Sequence, residues 1–184
     1  MKIDNVSPIR GKKVLFKPVS FTISNGEIVV LMGPSGIGKS SFIETISGSL
    51  KHTGNISKKI DHFSVFQDTE QLFPWMTILD NLKLSNPKAN WKKYSENLKL
   101  SHKLQNYPHE CSVGQRQRLT LLRAIHSGRS VLLCDEPLSG VDKDTAYKIC
   151  KEFLVYVKKT KKKVLWVTHN HEEAKLLGKV IVLK

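Results

Sequence analysis

The chain has 184 residues and a formal net charge of +14, with 40% hydrophobic and 25% charged residues. That length suits one domain with room for a small subdomain, and the balance excludes a disordered chain. No apolar run approaches the roughly 18 residues of a membrane helix, and MKIDNVSPIR lacks the apolar stretch of a secretory signal, so a cytosolic protein is expected.

In chain order, VSFTIS alternates apolar and polar residues, NG turns, and EIVVLM is a short continuous apolar run; this pattern predicts two strands, the second buried. A glycine-rich loop follows, then a helix over KSSFIETISGSL. GNIS and HFSVF read as short strands and DTEQLFPW as a loop. From Thr77 to about Leu100 the pattern is helical, interrupted by Asn86-Pro87. YPHE opens another loop. Leu119, Leu122 and Ile125 recur at helical spacing in SVGQRQRLTLLRAIHSG, which ends at Gly128. SVLLCDEP and KVLWVTH read as buried strands ending in polar residues. A helix lies between them, another over HEEAKLL, and KVIVLK closes as a strand. Buried strands alternating with helices predict a mostly parallel sheet, and such sheets bind ligands beyond their carboxyl edge.

Several features point to no special chemistry. Cys111, Cys134 and Cys150 form no CxxC pair, so neither zinc nor a disulfide framework is expected. His169 and His171 lack a third ligand. The run from Lys158 to Lys163 follows a helical pattern and reads as a solvated helix C-terminus. The positive charge is almost all lysine and has no interleaved aromatics. It predicts weak attraction to anionic lipid and no specific nucleic acid partner.

The chemistry gathers at the strand ends. GPSGIGKS, Gly33 to Ser40, fits G-x-x-x-x-G-K-[ST]. Small residues let the backbone wrap a phosphate chain and point N–H groups inward. Gly33, Pro34, Ser35, Gly36, Ile37, Gly38, Lys39, Ser40 and Ser41 are the expected nucleotide-binding residues. Lys39 is placed for the β- and γ-phosphates and Ser40 for Mg²⁺, with the positive end of the next helix behind them. Asp135 ends a strand and can reach Mg²⁺; Glu136 can orient or deprotonate the attacking water. His169 can touch the γ-phosphate, and Gln67 the metal or the water. The expected metal set is Ser40, Gln67 and Asp135, and the expected catalytic set Glu136, His169 and Gln67.

One polar stretch, CSVGQRQR from Cys111 to Arg118, is not required by a single nucleotide site. From VSFTISNGEIVVLMGPSGIGKSS to VLWVTHNHEEA the chain resembles the ATPase subunit of ATP-binding cassette (ABC) transporters. The resemblance implies an α/β fold: a P-loop NTPase core of the RecA-like, ABC type with a mostly parallel sheet, a small antiparallel β subdomain and a helical subdomain. It places the nucleotide-binding core at about 1–66 and 119–184 and the helical subdomain at about 67–118. The family signature, usually LSGGQ, reads CSVGQ here. In the family it closes over ATP held by the partner subunit, which assigns Ser112, Gly114 and Gln115 to the nucleotide of a second chain. SGVD, Ser139 to Asp142, resembles the loop that crosses the same interface.

VFQDTEQLFPWMTILDNL and YPHECSVGQRQR further resemble bacterial importer ATPases of the nitrate, sulfonate, taurine and thiamine group. The expectations are then ATP and Mg²⁺, a homodimer or paired ATPase subunit, transmembrane permease subunits and a substrate-binding protein. The place is the cytoplasm, peripheral on the inner face of the cell membrane, and Phe73, Pro74, Trp75 and Met76 would form an apolar contact with the permease. No regulatory C-terminal domain is expected. The sequence departs from the family at Cys111 and Val113, and at Ile9-Arg10, where an aromatic usually stacks adenine. A non-import membrane machine and a nucleic-acid-associated ATPase are the alternatives; a nucleotide kinase would carry neither CSVGQ nor SGVD.

Overall fold

The computed structural model describes residues 1–57, 60–66 and 71–183, the side chain of Asn97 excepted. Its centre is a five-stranded parallel sheet. In space the strands run β10 (Lys179–Val182), β5 (Ile28–Met32), β9 (Lys163–Val167), β8 (Val131–Asp135) and β7 (His62–Val65). Side chains of a strand alternate between its two faces, and this sheet is apolar on both. Ile28, Val30, Met32, Leu132, Cys134, Val164 and Trp166 face the layer of α4 (Val113–Ile125), α5 (Lys143–Thr160) and α6 (His171–Leu177). Val29, Leu31, Val131, Leu133, Leu165 and Val167 face α1 (Lys39–Ser47) and the N-terminal strands. Continuous apolar runs such as IVVLM are what a sheet covered on both faces requires.

The N-terminal strands form a separate antiparallel layer, β4 (Val19–Thr22), β1 (Lys2–Val6) and β6 (Asn55–Ile56). No strand is legible in KIDNV. The pairing of β1 with β4 shifts register between Ile3 and Val6, and Asn5 takes φ 51. The bulge puts two buried residues three apart, which hides the alternation of a strand. A hairpin of β2 (Ile9–Arg10) and β3 (Lys13–Val14) turns at Gly11. It leads to Leu15, which touches the glycine-rich loop at Gly38.

The helical stretch expected from Thr77 to Leu100 is two short helices, α2 (Ile78–Lys83) and α3 (Trp91–Asn97). The chain leaves helical geometry around Asn86-Pro87 and restarts at Asn90, whose side chain caps α3 by accepting from Lys93 N–H. These helices have their own core of Leu72, Ile78, Leu82, Trp91, Leu98 and Leu100, closed by Leu119 and Leu122 of α4. Buried Asn81 braces the entry: it donates to the carbonyls of Phe73, Met76 and Thr77 and accepts from Phe73 N–H. Phe73 and Trp75 are exposed, 5.3 Å apart between ring centroids.

The lysine run needs one correction. Lys158 and Lys159 do end α5, but Lys162 is buried, and its ammonium donates to the carbonyl of Arg129. It ties the end of α5 to the turn that precedes β8 rather than sitting in solvent.

Candidate functional site

The phosphate loop joins the carboxyl end of β5 to the start of α1, so its shape follows from the sheet. Gly38 caps α1 at φ 111, where an added Cβ would come within 2.9 Å of Leu15 Cδ1. Both the backbone conformation and the close approach call for glycine there. Lys39 is nearly fully buried, and its Nζ donates to the carbonyls of Gly33 (2.9 Å) and Pro34 (3.1 Å). The ammonium therefore lies across the mouth of the loop. Its other neighbour is Glu136 Oε1 at 4.0 Å.

Asp135 is the last residue of β8 and Glu136 the first beyond it. Glu136 takes φ 45, an uncommon conformation for a residue with a side chain. It is held there because its N–H donates to Val167 O of the neighbouring strand at 2.9 Å. The turn aims the carboxylate back along the sheet edge. One oxygen faces Lys39, and the other lies 3.0 Å from Nδ1 of His169. His169 follows β9, in a turn fixed by Asn170, which caps α6 by accepting from the N–H groups of Glu172 and Glu173. Burial pushes the Asp135 carboxyl above its ordinary range, and Glu136 adds to this, while a hydrogen bond with Ser40 and the charge of Lys39 pull it down. A carboxyl strained in this way beside a hydroxyl suits a hard divalent cation with few protein ligands, whose charge would reverse the shift. Ser40 and Asp135 thus fit Mg²⁺.

Lys39, Ser40, Asp135, Glu136 and His169 meet at one edge, as their strand ends require. Gln67 lies outside the described residues. Ser112, Gly114 and Gln115 stand apart. Among the described residues no hydrogen bond or ion pair joins them to residues 33–41. They open α4 instead. The Ser112 hydroxyl accepts from Gln115 N–H, and the Gln115 side chain accepts from Ser112 N–H at 2.9 Å. This reciprocal cap leaves the hydroxyl proton of Ser112 and the amide N–H₂ of Gln115 available to another molecule. Val113 is exposed beside them. Gly114 packs against Thr145, and Gln117 donates to Ser139 O at 3.1 Å, so the signature stretch rests on the SGVD turn, whose Asp142 caps α5.

One residue of this edge left no sequence signal. Glu173 lies in HEEAKLL, an exposed-looking helix, yet its carboxylate is buried and accepts from Trp166 Nε1 at 3.3 Å. Burial raises its pKa, while hydrogen bonds with Thr168 and Trp166 lower it. It braces the turn carrying His169 from below.

Residues 16–139 match the ABC transporter family. The chain belongs to the ABC transporter family. It is 30% identical over 202 residues to the taurine import ATP-binding protein TauB of Escherichia coli K12, covering all of this chain and 78% of TauB. It is 32% identical over 212 residues to the glycine betaine/carnitine/choline transport ATP-binding protein OpuCA of Bacillus subtilis, covering 100% of this chain. It spans about half the length of OpuCA (55%) and of the maltose/maltodextrin import protein MalK of Photorhabdus laumondii (54%). A bacterial ABC transporter cassette solved as a dimer superposes with a TM-score of 0.77 at 28% identity, covering 100% of this chain and 94% of that one. A Pyrococcus furiosus ABC protein gives 0.85 at 22% identity, over 99% and 96% of the two chains, a likeness of fold. The ABC core thus accounts for the parallel sheet, its antiparallel layer and the helical insertion.

Proposed function

We propose that this chain is the ATP-binding and ATP-hydrolysing subunit of a bacterial importer of the taurine and sulfonate type. The observation that carries the chemistry is the Glu136 turn, which holds one carboxylate between the Lys39 ammonium and His169. Phosphates entering the loop would replace the Gly33 and Pro34 carbonyls as partners of Lys39, and backbone N–H groups at the start of α1 would share their charge. Ser40, Asp135 and Gln67 would hold Mg²⁺, which when bound draws charge from the β- and γ-phosphates. Glu136 takes the proton of the attacking water, and His169 keeps that carboxylate oriented and contacts the γ-phosphate.

Two copies complete each site. Ser112, Gly114 and Gln115 of one chain offer a helix N-terminus, a hydroxyl and an amide to the nucleotide of the other, in keeping with an exposed or half-buried cap that makes no hydrogen bond to its own loop among the described residues. Residues 67–118 act as the helical subdomain that grips the permease, with Phe73, Pro74, Trp75 and Met76 at the contact. The dimer works on the inner face of the membrane beside permease subunits served by a substrate-binding protein. The relatives named for import of taurine and of glycine betaine support this assignment.

The test is hydrolysis of Mg-ATP by the purified chain and by Glu136→Gln. The amide keeps the shape and loses the base. ATP binding should persist, hydrolysis should fall about 10²–10⁴-fold, and an ATP-bound dimer should accumulate on size exclusion. Hydrolysis near the wild-type rate removes Glu136 from the role given to it.

A further inference from the structure

The two longest helices reveal where the positive charge collects. α4 and α5 run parallel: Gly114 lies beside Thr145 near their starts, Arg118 reaches Glu152 midway, and His126 meets Tyr156 near the ends. At about 1.5 Å per residue they carry the chain roughly 20 and 27 Å from the phosphate edge. Residues 85–94 fold over the same far end, where Asn86 donates to His126 O and Tyr94 stacks on the His126 ring at 3.6 Å. β8 and β9 also begin there. Lys88, Lys92, Lys93, Lys158, Lys159 and Lys161 are distant in sequence, but they share this pole, and all six are exposed.

Of the acids near this pole, Glu96 is exposed on α3 one turn after Lys92 and Lys93 and offsets one of these charges, while two others are engaged. Asp61 pairs with Arg129, and Glu27 accepts from Ser24 N–H. Asp135, Glu136, Asp142 and Glu172 lie at the other end together with Lys39, Arg116 and Lys143, whereas the far pole gathers six exposed lysines. The pole also carries aliphatic surface. Val155 sits three and four residues before Lys158 and Lys159, on the same helical face, and is 64% exposed; Leu84, beside Lys83, is 56% exposed. Among the described residues no exposed aromatic ring stands between these lysines, and the arginine there is ion-paired. Base-specific or single-strand nucleic acid binding would call for free arginines or stacking rings. Point-charge ammonium groups around aliphatic side chains suit a layer of anionic headgroups.

We propose that this basic pole docks on the anionic face of a lipid bilayer, an attachment separate from the Phe73–Met76 contact with a permease. The proposal rests on the preceding section only for placing the chain at a membrane. Its test is sedimentation of the full chain with phosphatidylcholine vesicles, with and without about a third phosphatidylglycerol, at about 150 mM salt and above.

Binding should require the anionic lipid and fade as salt rises. Lys158→Glu/Lys159→Glu/Lys161→Glu and Lys88→Glu/Lys92→Glu/Lys93→Glu should each weaken it about tenfold or more. Lys12→Glu/Lys13→Glu/Lys17→Glu makes the same change in net charge on and beside the β2–β3 hairpin, and should alter binding no more than about twofold. The two pole variants lie on independent segments, and circular dichroism identifies any that fails to fold. Equal losses in all three variants would overturn the proposal, because net charge alone would then act. Tighter binding to a short RNA or DNA duplex than to the vesicles would overturn it in favour of a nucleic acid. ATP hydrolysis without lipid is read on the same samples. A wild-type chain that binds anionic vesicles but hydrolyses no ATP leaves the pole standing and removes the ATPase reading.

Discussion

A guanidinium and an aromatic ring both offer a flat face to a purine, and Arg10 is held in one pose. Its Nη2 lies 3.1 Å from Glu44 Oε2 on α1, the helix that follows the phosphate loop. The pair is exposed, so it orients the side chain more than it stabilises the fold. A base stacked on an aromatic gains roughly 1–3 kcal/mol in nucleic-acid sites. A guanidinium supplies a plane without reading the edge of the base, so discrimination should be weak. Titration of ATP and GTP should give affinities within about a hundredfold, and Arg10→Ala should weaken both to a similar degree. A stronger preference for ATP would place the selective contact on another residue. At this scale the phosphate loop and the acids at the strand ends were legible because each motif follows an apolar run that fixes its place. The left-handed turn at Glu136 was not, since neither glycine nor asparagine marks it. A hydrogen bond donated by Glu136 N–H to the neighbouring strand imposes it.

At the level of elements, α4 joins two cores through His126, the residue that caps its C-terminus. The His126 ring stacks on Tyr94 of α3 and meets Trp91 and Tyr156 edge-on, and its buried Nε2 has no hydrogen-bond partner among the described residues. Burial first, then the charges of Lys162 and Lys159, hold its pKa down at about 4. The unfolded chain therefore binds this proton more readily than the native one, and the stability present above the ordinary histidine range is lost as pH falls through about 4. Glu173, whose pKa is raised, works in the opposite sense. The comparison with His126→Phe, which keeps a stacked ring, isolates the histidine. Between pH 7 and about 4.5 the urea midpoint of the wild type should fall more than that of the variant. Parallel curves would show that the ring does not resist protonation. The helices meeting here were legible from their apolar spacing, but the short span of α2 and α3 was not. Asn86-Pro87 signalled a break, whereas the length of non-helical chain depends on its contacts with His126 and Arg123. β1 stayed hidden for a related reason: its bulge spaces Ile3 and Val6 against the strand period, and only pairing on both sides reveals it.

At the scale of the whole molecule, the proposed sharing of each nucleotide between two chains accounts for the exposed cap at Ser112 lying apart from the Lys39 loop, and complementation tests it. Lys39→Ala destroys the phosphate loop. Ser112→Arg puts bulk and charge where the signature helix should meet a phosphate. A homodimer of either variant has two damaged sites. On the proposed arrangement, in which the signature of one chain faces the loop of its partner, both lesions of a mixed dimer fall in one composite site. The second site then pairs an intact loop with an intact signature. Mixed dimers should trap about one nucleotide each, whereas neither variant alone traps any in a complete site. Nucleotide trapping on a stoichiometric mixture, separated by two different affinity tags, gives the readout. Were CSVGQ to serve the nucleotide of its own chain, mixing would leave one lesion in each site and trapping would not return. The structure favours the first outcome. Ser112 and Gln115 satisfy each other's backbone groups within their own chain and keep only outward donors, which a second molecule can use.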